Sequence, residues 1–254
     1  MVRPDMPRIL LTLILALAQI AATFLPLAGV GETIGTRSAE APSLLTPPGW
    51  AFAIWGPIYL ATIAYAVWQA LPANRASPRI ARIGWWMVGA LALNTLWPLV
   101  FQLQGSKGWS VLVIFALLAC LLVAVRKVGL IGARDPDQYL VALPVGLFGG
   151  WVMAASVLNM TSWLGNVAEV PLPAMAPEAW VAFLAILLGL LGAVTVVRSA
   201  NLWFGLALLW ALGGIAATAG ATGNRLGLMA AGVAALLLLL GGVASIRVGK
   251  KAMR

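Results

Sequence analysis

Thr46-Pro47-Pro48-Gly49-Trp50-Ala51-Phe52-Ala53-Ile54-Trp55-Gly56-Pro57-Ile58-Tyr59 is the densest local signal in the chain. Pro47 and Pro48 hold the approach extended, because proline fixes φ and disfavours helix in the residue before it. Gly49 allows a turn, and an apolar helix follows. At about 100° per residue, Trp55 and Tyr59 share a face, with Phe52 one turn back on the same face. Trp and Tyr commonly mark a membrane interface. That accounts for Trp50 more readily than for Trp55 and Tyr59, which sit one to two turns deeper.

Working outward, hydrophobic residues make up 62% of the 254 and charged residues only 9%, far below the roughly 25% of a soluble domain. Apolar runs long enough to span about 30 Å of hydrocarbon recur near 8–30, 50–71, 83–103, 109–125, 139–162, 178–197, 201–219 and 225–246. The expected fold is therefore all-α: a polytopic transmembrane helix bundle. Arg3 and Arg8 ahead of the first run leave a cleaved signal peptide as an alternative there, though the run is long for one.

Charge placement sets the orientation. With eight spans, one side collects Arg3, Arg8, Arg75, Arg79, Arg82, Arg126, Lys127, Arg134, Arg198, Arg247, Lys250, Lys251 and Arg254, and the other only Arg37, Lys107 and Arg225. The positive-inside rule then puts both termini in the cytoplasm. The net charge of +9 comes from helix ends, not a soluble basic face, so nucleic acid is not an expected partner. Membrane lipid is. The opposite-side loops near 31–49 and 163–177 carry Glu32, Glu40 and Glu169, and the first is long enough to act as a lid.

What is missing narrows function further. There is no histidine, and Cys120 is the single cysteine, which removes His-based catalysis, the usual haem ligand and any Cys metal cluster. No charged residue falls in the core of any span, against proton coupling and against a buried acid–base pair. The intramembrane polar residues to watch are Asn94 and Asn159, each eight residues after a tryptophan (Trp86 and Trp151) and directly after a leucine. An amide at that depth needs a partner, which is either another helix or a ligand. Trp55, Trp97, Trp151 and Trp210 lie deepest among the tryptophans and are candidates to line a pocket. Gly146, Gly149, Gly150, Gly213 and Gly214 permit close helix approach or relieve crowding beside a ligand.

Three blocks together resemble the TspO/MBR family, the tryptophan-rich sensory proteins related to the translocator protein. They are Thr46-Pro47-Pro48-Gly49-Trp50-Ala51-Phe52 with Trp55 and Tyr59, then Leu93-Asn94-Thr95-Leu96-Trp97-Pro98-Leu99-Val100-Phe101, and Trp151 to Asn159. Two departures stand out: Phe52 to Trp55 is one residue shorter than the family pattern, and Leu45 replaces a tryptophan. The resemblance covers about residues 8–163. It implies a five-helix core over residues 1–163, with about three further transmembrane helices in 164–254. It also implies a cavity beneath the first long loop and a flat hydrophobic ligand such as a tetrapyrrole, with a sensory or porphyrin-handling role. The ligand-binding residues it implies are Trp50, Phe52, Trp55, Tyr59, Asn94, Trp97, Trp151 and Asn159. No catalytic residue, metal or obligatory cofactor is expected. A bound porphyrin, a bacterial cell membrane and a homodimer are. An uncoupled facilitator of small hydrophobic metabolites is the alternative, and porphyrin degradation a third reading without independent support in the chain.

Overall fold

The computed structural model describes residues 4–40, 42, 45–105, 107–128, 135–166 and 176–252, with side chains up to 247. Among them, eight helices are long and apolar enough to cross a membrane. They are α1 (Met6–Thr23), α3 (Trp55–Ala70), α4 (Pro78–Gln104), α5 (Gly108–Val128), α6 (Leu143–Asn166), α7 (Pro177–Ser199), α8 (Leu202–Ala221) and α9 (Arg225–Ala252). A short α2 (Ile34–Glu40) lies in the first long loop. All eight expected spans are present, and the chain is an integral membrane protein. Glu169 and Arg134 lie outside the described residues.

Three differences from the sequence reading have local causes. The first span ends at Thr23, not near 30: Pro26 supplies no N–H, the chain tightens into a 3₁₀ turn over Leu25–Ala28, and Gly29 leaves it at φ 79°. The second span does not begin as an α-helix, because Gly49–Ile54 is wound as 3₁₀ and the α-helix starts at Trp55. Arg8, expected on a flank, turns inward. It is 1% exposed and donates to Gln69 Oε1 at 2.7 Å.

α6 is the hub. It packs on α3, α5, α7 and α8, while α1 joins α3 and α4 on one side and α7 joins α9 on the other. Glycine lets α8 come close. A Cβ on Gly150 would overlap the Phe204 carbonyl, and one on Gly149 would press on the Phe204 ring at 3.2 Å. Asn201 pins the α7–α8 corner to the start of α6. Its Oδ1 caps α8 by accepting from the Trp203 and Phe204 amides, and its Nδ2 donates to the Ala142 carbonyl at 2.9 Å. One contiguous apolar cluster runs from Ala16 to Leu238 and includes residues on both sides of position 163. The C-terminal helices share their core with the preceding five spans.

Candidate functional site

The site forms where the extended Thr46–Pro48 stretch and its 3₁₀ turn cross the ends of α4, α6 and α8, under α2. Backbone polarity explains the seating. The extended Thr46–Pro48 stretch lies outside the helices, and Thr218 Oγ1 donates to the Thr46 carbonyl at 3.0 Å. Trp210 Nε1 donates to the Ala51 carbonyl at 2.8 Å. In hydrocarbon an unpaired carbonyl costs several kcal/mol, so such bonds are close to obligatory. Gly214 lets Pro47 sit down on α8: a Cβ there would come to 2.8 Å from the Pro47 Cβ.

α2 closes the top. Glu32 N and Arg37 Nε both donate to the Gln102 carbonyl, at 3.1 and 3.0 Å. That carbonyl lies in the last turn of α4, where helix carbonyls have no partner of their own. Gly31, at φ 74°, lets the chain pass close by: a Cβ there would come to 3.0 Å from that oxygen. The loop expected to form a lid thus lies over the site.

Beneath it is a partly open cavity of about 40 Å³. Ile34 and Ser38 of α2, Thr46, Pro47 and Phe52 form its roof and near side. Trp97 and Phe101 of α4 form one wall, with their rings stacked at 4.9 Å and 19°. Trp151, Leu158, Asn159 and Ser162 of α6 form another, and Ala211 and Ile215 of α8 close it. Phe52 meets the Trp151 ring edge-to-face at 6.0 Å. Such pairs contribute about 0.5–1.5 kcal/mol each beyond their buried area. Two buried indole donors on this wall, Trp97 Nε1 and Trp151 Nε1, have no hydrogen-bond partner.

Of the eight expected residues, the structure brings Phe52, Trp97, Trp151 and Asn159 onto the cavity. Asn159 Oδ1 also accepts from Ser110 Oγ at 3.1 Å, so it ties α6 to α5 as well. Trp55 and Tyr59 form a second layer. They stack on each other at 5.4 Å, and Trp55 meets Trp151 edge-to-face at 6.3 Å. Asn94 is elsewhere: its Nδ2 donates to Gln19 Oε1 at 2.8 Å, joining α4 to α1. Trp50 is 50% exposed, on the outer side of the 3₁₀ turn, edge-to-face with Trp210. Trp210 is itself 41% exposed and lines no part of the cavity. The matched Trp-to-Asn spacing has no common role either, since Trp86 faces outward under Lys127.

Phe101, Ala211, Ile215 and the two α2 residues were not singled out from sequence. Phe101 stood in a quoted block, and Gly214 marked the α8 approach. Ala211 and Ile215 carry no signal that separates them from other apolar span residues. Among the described residues no group of three or more Cys, Asp or Glu could hold a metal. The cavity lining offers a guest ring faces, and two of its tryptophans carry buried, unpartnered indole N–H groups.

Eight membrane helices around a small, lidded, ring-lined chamber define a polytopic α-helical membrane protein with an intramembrane cavity. The TSPO-like protein family model matches residues 7–243, and the chain belongs to that family. The match extends well past residue 163, through α7, α8 and most of α9, so the likeness is not confined to the first five spans. No curated protein and no solved structure matches the chain significantly.

Proposed function

We propose that this protein binds a flat hydrophobic ligand of the tetrapyrrole class in the cavity between α4, α6 and α8, and serves a sensory or porphyrin-handling role without turnover. The observation that carries this reading is the pair of buried, unpartnered indole N–H groups beside a stacked ring pair. A planar ligand gains dispersion and edge-to-face contacts from Trp97, Phe101, Trp151 and Phe52. A carbonyl, carboxylate or other acceptor on it satisfies the two indoles, each worth about 0.5–1.5 kcal/mol net. At about 40 Å³ the cavity is far below the roughly 300–1,000 Å³ of a ligand pocket. Entry therefore requires α2 and the Thr46–Ile54 segment to lift. Hydrogen bonds to α4 and α8, the Pro47–Gly214 contact and the buried Ile34, Leu45 and Ala51 are among what holds them on the bundle.

The test is a titration of protoporphyrin into detergent-solubilised protein, followed by tryptophan fluorescence. Saturable quenching is expected. A Trp97→Phe, Trp151→Phe variant keeps the rings and removes both donors, and should weaken binding about ten-fold. Trp50→Phe, outside the cavity, should leave affinity unchanged. Quenching that does not saturate, or that ignores the double variant, rejects the reading. Saturable flux of the same ligand across proteoliposomes would move it to the facilitator alternative.

A further inference from the structure

At the other end of the bundle, remote from the cavity, α1, α3 and α4 enclose a polar cluster that the proposed ligand does not use. Arg8, Tyr65 and Gln69 are 1%, 0% and 0% exposed. The Arg8 guanidinium lies flat against α4, where a Cβ on Gly84 would overlap it. One guanidinium nitrogen donates to Gln69 Oε1 at 2.7 Å. That bond fixes the amide: Oε1 faces the cation, so the Gln69 NH₂ must be a donor. Arg8 Nε, Gln69 Nε2 and the Tyr65 hydroxyl are each buried without a hydrogen-bond partner. Covalent geometry keeps the first two beside the Arg8–Gln69 bond. Tyr65 stands one turn before Gln69 on the same face of α3 and is fully buried with it.

Arg8 Nε and Gln69 Nε2 can only donate, the Tyr65 hydroxyl is free to donate or accept, and one of the three groups carries a full positive charge. The nearest carboxylate is Asp5, whose Oδ2 is 4.0 Å from Arg8 Nε and whose side chain is 38% exposed. That oxygen already accepts from Trp85 Nε1 at 2.9 Å, and Asp5 Oδ1 accepts from the Arg8 amide at 3.2 Å. A buried cation in this surrounding is costly unless a counter-charge meets it directly. A water molecule would satisfy the donors but add no counter-charge, leaving Arg8 with only the long ion pair to the partly exposed Asp5. A lipid headgroup cannot reach side chains this enclosed. Arg75 and Arg82 sit on the same end of the bundle and raise the local concentration of anions.

We propose that Arg8, Gln69 and Tyr65 form a binding site for a small monovalent inorganic anion of the chloride class, which ties α1 to α3 at this end of the bundle. The ion accepts from Arg8 Nε, Gln69 Nε2 and the Tyr65 hydroxyl, and Gly84 makes room for the guanidinium that anchors it. The site is independent of the aromatic cavity, so either proposal can fail without the other.

The experiment compares thermal unfolding of the full chain in sodium chloride and in sodium gluconate at a matched ionic strength of about 0.15 M. Chloride should raise Tm by about 2–5 °C. Tyr65→Phe keeps the ring and removes one donor, and should shrink that increment at least by half. Because Arg8 variants can fail to fold, the wild-type protein is also crystallised in bromide, and an anomalous peak is expected beside Arg8 Nε and Gln69 Nε2. A Tm indifferent to halide with no peak at the cluster means water alone, and overturns the proposal. So does a halide increment undiminished in Tyr65→Phe, or bromide bound only elsewhere.

Discussion

Two adjacent glycines show how single positions shape the site. Gly214 faces Pro47, and a Cβ there would also come to 3.3 Å from Ala51, whereas Gly213 has nothing within 4 Å. Gly214→Leu should cost about 1–3 kcal/mol through overpacking and lower Tm accordingly. Gly213→Leu, pointing into open space, should be neutral. A differential melt of the two variants checks this, and equal Tm values would refute the close seating of Pro47. The contrast also shows what was legible. Phe52, Trp97, Trp151 and Asn159 were readable because large rings and amides at membrane depth are few and need a reason. Asn94 was left between a helix and a ligand, because an amide satisfied by Gln19 and an amide facing a cavity look alike in sequence. Trp50 and Trp210 lie off this cavity, because depth along a span does not say which way a ring points.

Among the elements, the contact between α8 and the Thr46–Ile54 segment governs opening. Trp210→Phe with Thr218→Val removes both hydrogen bonds and leaves the apolar contacts. At about 1 kcal/mol each, their loss should populate the lifted form roughly thirty-fold more. Maleimide labelling of Ser38→Cys in a Cys120→Ala background reads this directly, and an unchanged labelling rate would sink the idea that α8 latches the lid. At the opposite end, Arg79 of α4 donates to Asp135 and Asp137 at 2.9 and 2.6 Å, and Trp68 of α3 donates to Asp137 at 2.8 Å. These bonds fasten the lead-in to α6. The Asp137 amide and then Arg79 hold the Asp135 carboxyl below its ordinary range. A depressed carboxylate contributes stability above its unfolded pKa of about 3.9, and that contribution is lost as pH falls through the lower folded value. Tm should therefore be level above about pH 5 and fall below about pH 4, with a smaller acid-side drop in Asp135→Asn. An identical drop in that variant would remove Asp135 from the account. The eight spans were legible from hydropathy, but the 3₁₀ start of the second was not. It depends on what α8 offers to Ala51 and Thr46 from more than 150 residues away.

For the whole molecule, the family match runs across residues 7–243 and the apolar cluster includes residues on both sides of position 163, with α6 clasped by α8 along Gly146, Gly149 and Gly150. That clasp was not legible, because glycines on a span promise a close neighbour without naming it. It has a consequence for the shape of a binding curve. The cavity lining gathers α2, α4, α6, α8 and the Thr46–Ile54 segment of a single chain, and the proposed seat is built on that lining alone. Binding to the cavity should be one molecule per chain and hyperbolic, with a Hill coefficient of about 1 whatever the protein concentration or assembly state. A sigmoidal isotherm, or a stoichiometry of one ligand per two chains, would contradict this self-contained seat.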